Sequence, residues 1–172
     1  MFARPSNAEK AIVERQTVEE LARALAPLGD VITNVHSVTR DPPDCTALLN
    51  GTLVAIELAE LLNGKVLHKI AAARRGVGKL PTWDELQWTR ELFKQHIDAI
   101  ISKKESKLSR VELDTAATVL LIHTDELWLE PNKVDEWLIG LEFEATPNIG
   151  RAYLLCTYDS RRGPAWPVFR LF

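Results

Sequence analysis

The dipeptide Asn50-Gly51 constrains this chain more than any other pair of residues. Both residues tolerate positive φ, so they read as a two-residue type I′ turn between antiparallel strands. Cys45 to Leu49 and Thr52 to Leu58 suit those strands. Closing the hairpin there sets Leu49 opposite Thr52, Leu48 opposite Leu53, Ala47 opposite Val54, Thr46 opposite Ala55 and Cys45 opposite Ile56. One step further out, Asp44 faces Glu57. Directly opposed like charges destabilise a sheet. The pair therefore calls for a cation, a shared proton or a slipped register, and a divalent metal bound by oxygens is the first reading.

The rest of the chain supplies what such a hairpin would pack against. Its 172 residues suffice for one domain, residues 1–172, with a sizeable core. Ser6 and Glu9 have capping-box spacing, and Ile12, Val18, Leu21, Leu25 and Leu28 follow on roughly one face before Gly29. Thr17 and Glu20 repeat the spacing, so this helix has a point where it can break and restart. Val31 to Val35 reads as a short strand, and Thr39 to Asp44 as a turn into the hairpin. Glu60 to Ala73 reads as helix. Thr82 and Glu85 form a second capping box, opening a long helix to about Lys107. Ala117 to His123 is a continuous apolar run, the pattern of a buried strand. A short helix is expected from Pro131 to Leu141, then a terminal strand pair, Arg151 to Tyr158 and Trp166 to Phe172. This order gives an α/β fold, a mixed central sheet flanked by helices.

The net charge of -3 selects no partner, but its distribution is uneven. From Leu61 to Trp83 there is no acid, while Lys65, Lys69, Arg74, Arg75 and Lys79 supply positive charge that suits phosphates. Cys45 and Cys156 form neither a metal-ligand cluster nor a disulfide framework, and read as buried thiols in a reducing cytoplasm. The start, Met1 to Pro5, lacks an apolar signal core, and no run is long enough to span a bilayer. A cytoplasmic protein is expected.

Pro43-Asp44, a hairpin, then Val54-Ala55-Ile56-Glu57-Leu58-Ala59-Glu60 resembles the PD-(D/E)XK, restriction-endonuclease-like nuclease superfamily, and an uncharacterised bacterial branch of it in particular. The likeness covers roughly Val18 to His123 and includes the core order of helix, three strands, helix, strand. It implies metal-dependent hydrolysis of DNA phosphodiesters. By the resemblance, Asp44 and Glu57 hold Mg²⁺ (or Mn²⁺), together with the main-chain carbonyl of Leu58. Glu20 is the candidate acid from the first helix, with Glu19 behind it. The family's lysine position is Ala59, a departure. The substitutes to consider are Lys104 and Lys107, then Lys65 and Lys69. Lys65, Lys69, Arg74, Arg75 and Lys79 would contact nucleic acid.

Other readings of these residues stand beside that one. Asp44 follows two prolines and has the context of a turn residue. Lys103, Lys104 and Lys107 are favoured near a helix C-terminus in any case. Glu60 suits a helix N-terminus. His36, His68, His96 and His123 have no paired ligand spacing, and the five Trp fall mostly at core spacing. Gly76-Val77-Gly78-Lys79 lacks the preceding strand and following Ser or Thr of a phosphate loop. A non-catalytic binding or assembly module on the same fold is the alternative function, with a homodimer formed by edge pairing of the terminal strands. RNA as substrate is not separated from DNA.

Overall fold

The computed structural model describes residues 6–126, 128–157 and 159–172. Met1 to Pro5 and Tyr158, read above as chain start and strand end, lie outside the described residues. Helix α1 (Asn7–Leu25) ends in a 3-10 turn at Ala26–Leu28 and leads into β1 (Ile32–Ser37). The hairpin β2 (Cys45–Leu49) and β3 (Thr52–Glu60) follows, then α2 (Gly64–Arg74), α3 (Trp83–Leu86) and α4 (Arg90–Leu108). Strand β4 (Ala117–Thr124), α5 (Pro131–Leu138), β5 (Arg151–Cys156) and β6 (Val168–Arg170) complete the chain. The six strands form one open sheet in sequence order. β3, β4 and β5 run parallel, and the pairings on either side are antiparallel.

The hairpin register is the one read from Asn50-Gly51, from Leu49 opposite Thr52 to Cys45 opposite Ile56. Asn50 has φ 50° and Gly51 φ 81°, as a type I′ turn requires. Asn50 does more than turn. Its Oδ1 accepts from Val31 N–H at 2.8 Å, and its Nδ2 donates to Asp30 Oδ1 at 2.7 Å, tying the turn to the strand beside it. The hydrogen bond from Asn50, opposed by desolvation and aided by Tyr153 and Arg151, holds the Asp30 carboxyl below its ordinary 3.8. A depressed carboxylate stabilises the fold above its unfolded pKa and loses that contribution as pH falls through the folded value. Asn50→Ala is therefore expected to lower unfolding free energy by about 1–2 kcal/mol in urea titration at neutral pH. The deficit should shrink in acid, below the ordinary aspartate range.

Alternation along the strands divides two cores. Val54, Ile56 and Leu58 of β3 join Val119, Leu121, Tyr153 and Leu155 beneath Val18, Leu21 and Leu25 of α1. Leu120, Ile122, Ala152 and Leu154 face the other way, under Phe93, Ile97, Ile101 and Leu108 of α4 and Val134 of α5. Ala55, Glu57 and Ala59 share that second face by the two-residue period, and Ala59 packs against its core.

Several boundaries differ from expectation. α1 runs unbroken through Thr17, whose hydroxyl donates to Val13 O instead of capping a new helix. The long helix expected from Thr82 is two helices. The Thr82–Glu85 capping box forms, but Gln87 is extended and Thr89 Oγ1 accepts from Leu92 N–H to start α4 afresh. Trp88, buried in the second core, occupies the break. β3 continues to Glu60, so this residue ends a strand rather than opening a helix, and α2 begins at Gly64 under an Asn63 cap. No helix among the described residues is long and apolar enough to cross a membrane.

Candidate metal and active site

The open end of the hairpin and the carboxyl ends of β3 and β4 meet between α1 and α4. Asp44 sits one residue beyond the β2 ladder. It is 7% exposed, and its Oδ2 accepts from Leu58 N–H at 2.8 Å. A strand residue presents N–H and C=O to the same edge, so the Leu58 carbonyl also faces the side beyond the end of β2. Glu57 is wholly buried on the α4 face. One carboxylate oxygen from each of Asp41, Asp44 and Glu57 lies within 4.8 Å of the others. Asp41 was not singled out from the sequence. It enters because the Asp41-Pro42-Pro43-Asp44 turn folds back on the hairpin end.

The cations come from α4. Lys104 Nζ and Lys107 Nζ each stand 2.7 Å from Glu57 Oε1, and Lys107 also pairs with Asp41. The helix places them there for a readable reason. Phe93, Ile97, Ile101 and Leu108 form its buried stripe. At 3.6 residues per turn Lys104 falls within that stripe. A cation at a core position needs an anion opposite, and Glu57 is that anion. Lys65 and Lys69, the remaining substitutes for the Ala59 position, lie elsewhere: both are exposed on α2, and Lys69 pairs with Glu85 of α3.

α1 contributes Lys10 and Glu14 rather than Glu20. Lys10 Nζ stands 3.1 Å from Glu14 and 3.8 Å from Asp44, and all three line the same cavity. Glu20 instead pairs with Arg23, about 9 Å further along the helix from Glu14 at 1.5 Å per residue. Glu19 pairs with Arg15. Lys10 and Glu14 continue the stripe of Val18, Leu21 and Leu25 toward the helix N-terminus, and that continuation was the signal available in the sequence.

The resulting cavity holds about 390 Å³. Asp44, Leu58, Glu60, Lys104, Lys107 and His123 are among its lining residues. Burial pushes the Asp44 carboxyl above the usual aspartate range, with Glu14 adding to the rise and the Leu58 N–H, Lys104 and Lys10 opposing it. Desolvation works against the Lys107 ammonium, but its hydrogen bonds to Asp41 and Glu57 outweigh this and raise its pKa. The bond from Lys107 lowers that of Asp41. Burial lowers His123, which borders the cavity rather than sitting in the core. Both cysteines are buried free thiols, pushed up by desolvation to about 11 at Cys45 and about 12 at Cys156, and neither is a nucleophile at neutral pH.

The donor set suits a hard divalent cation, which takes oxygen ligands. Glu57 Oε2 is buried without a hydrogen-bond partner among the described residues, so one oxygen of the group remains for a cation. Compared with known proteins, the chain matches no family model, no curated sequence and no solved structure.

Proposed function

We propose that the protein is a PD-(D/E)XK-like, divalent-cation-dependent phosphodiesterase acting on DNA. The observation that carries this reading is Glu57, a buried carboxylate that joins Asp44 and Asp41 on one side and two lysines on the other. Support comes also from the order of elements: a helix, a strand, a hairpin bearing both acids at its open end, then a helix leading to a parallel strand.

Asp44, Glu57 and the Leu58 carbonyl would hold Mg²⁺ or Mn²⁺, with Asp41 at the margin. Such an ion, when bound, supplies Lewis acidity toward a phosphoryl oxygen and lowers the pKa of a water. Lys104 takes the role that Ala59 cannot fill. Its ammonium, steered by Glu57, reaches the cavity from α4 and balances negative charge on a phosphate there. Lys107 bridges Asp41 and Glu57 by pairing with both.

The test is cleavage of linear and supercoiled DNA by purified protein in Mn²⁺ and in EDTA, with Lys104→Met alongside. Cleavage should require Mn²⁺ and fall about 100-fold in Lys104→Met, the size of a lost charge-stabilising group. Mn²⁺ affinity should hold or rise, because Glu57 loses a competitor. Cleavage that is equal in both proteins, or absent in the intact one, would sink the assignment. A second reading, a binding or assembly module without turnover, is favoured by one feature: Lys104 and Lys107 both pair with Glu57, so its charge has partners within the fold. Absence of both cleavage and Mn²⁺ binding would select it.

A further inference from the structure

The cavity at Asp44 does not end at α4. A second hollow of about 340 Å³ adjoins it, and the two share Glu60, Ile100 and Lys103. Leu62, Ala99 and Ile100 give it an apolar floor, and Lys65 is among its lining residues. The two adjoining hollows, taken together as one groove, reach from Asp44 to Lys65 in the first turn of α2. Lys65 and Lys69 are one helical turn apart on α2, and Lys69 pairs with Glu85 of α3. Two residues before Glu85 is Trp83, 62% exposed. Trp128, from the segment after β4, braces it in a perpendicular contact with ring centroids 4.8 Å apart.

We propose that this groove and the Trp83 ring form a track for single-stranded DNA, an inference that rests on the DNA-cleaving reading above. The chemistry matches an unpaired strand in two ways. An apolar floor and an exposed indole suit base faces, which a duplex keeps stacked and hidden. Ammonium groups at Lys103, Lys65 and Lys69 suit the phosphates between them. Aromatic rings that stack bases, combined with cations that follow the backbone, are how single strands are bound without sequence preference. The stretch from Leu61 to Trp83 carries no acid and its exposed cations include Arg74, Arg75 and Lys79, while Glu60 lines both hollows and Glu85 pairs with Lys69. The substrate class is thus a single strand or an unpaired end, with the base stacked on Trp83 lying outside the cleavage cavity.

Fluorescence anisotropy in EDTA tests the track without any cleavage. The probes are fluorescein-labelled oligo(dT) of about 12 nucleotides, within the span of common single-strand sites, and a blunt duplex of equal length. The protein should prefer the single strand by about tenfold or more, and Trp83→Ala should weaken that binding about tenfold while leaving the duplex unmoved. Trp83→Phe should retain most of the affinity, and Lys103→Ala should reduce the salt dependence of binding. Thermal melting of each variant separates lost contact from lost fold; Trp83 is exposed, so its midpoint should hold. Equal affinity for both probes, indifference to Trp83→Ala, or tighter binding of oligo(rU) than oligo(dT) would overturn the proposal. Single-strand binding through Trp83 by a protein that never cleaves supports the track and removes the nuclease reading. Mn²⁺-dependent cleavage with affinity indifferent to Trp83→Ala does the reverse.

Discussion

Glu57→Gln should reduce the proposed Mn²⁺-dependent DNA cleavage by about 1,000-fold or more, the largest functional effect expected of any single substitution here. Glutamine keeps the shape of the side chain and removes its charge. Two consequences follow from the geometry. The proposed cation site would lose a carboxylate whose oxygen lies within 4.8 Å of those of Asp44 and Asp41, so Mn²⁺ affinity should fall with activity. Lys104 and Lys107, both 2.7 Å from the same oxygen, lose the anion between them. Lys107 still has Asp41, but the described ion pair of Lys104 is with Glu57 alone. Removing one partner of a buried pair usually costs stability, here about 1–3 kcal/mol because Lys104 is 18% exposed and can reach water. Calorimetric titration of Mn²⁺ and a urea melt, run beside the cleavage assay, distinguish these effects. An inactive variant that keeps full Mn²⁺ affinity would show that Glu57 is not a ligand. A variant that cleaves normally would remove the site altogether.

Phe93→Ala should cost about 3–5 kcal/mol of unfolding free energy, the range for truncating a fully buried aromatic. In thermal terms this is a fall of about 10 °C for a chain of this size. Phe93 is completely buried at the start of α4 and packs on Trp137 of α5 with ring centroids 5.7 Å apart. It anchors the same stripe that ends at Leu108. α4 carries Lys104 and Lys107, so a loosened helix also blurs their placement over Glu57. The variant should therefore retain the fold at low temperature yet lose activity beyond what its folded fraction explains. Circular dichroism and cleavage measured at one temperature, below the variant's midpoint, would check both halves. A midpoint within a degree or two of the parent would mean that α4 is seated by other contacts.

The candidate site was legible where polar residues broke an apolar pattern. Glu57 interrupts the run Val54 to Leu58, and Asn50-Gly51 fixes a register in which Asp44 is the next residue beyond the ladder. Lys104 interrupts the stripe of α4. Glu14 and Lys10 carried the same kind of signal on α1, whereas Glu20, the candidate implied by the family resemblance, lies a turn and more further along. Asp41 carried no periodic signal at all, because a proline turn has no repeat. The helix break at Gln87 was equally hidden. Thr82 and Glu85 open a helix, and Thr89 opens another. Which start governs α4 depends on burying Trp88 against the second core, a contact between distant residues.

Local chemistry specifies the type I′ turn and its register, the Ser6 cap, the buried strand from Ala117 and the alternating faces of β3. These depend on φ preferences, side-chain capping and the two-residue period, which act within a few residues. The tertiary structure alone decided that Asp41, Lys10 and Glu14 converge on Asp44, that Lys104 and Lys107 share one oxygen of Glu57, and that Trp83 meets Trp128 at the same end of the sheet. Those meetings follow from how α1 and α4 seat on opposite faces of the sheet. That seating is set by the burial of two separate apolar cores, not by any local propensity.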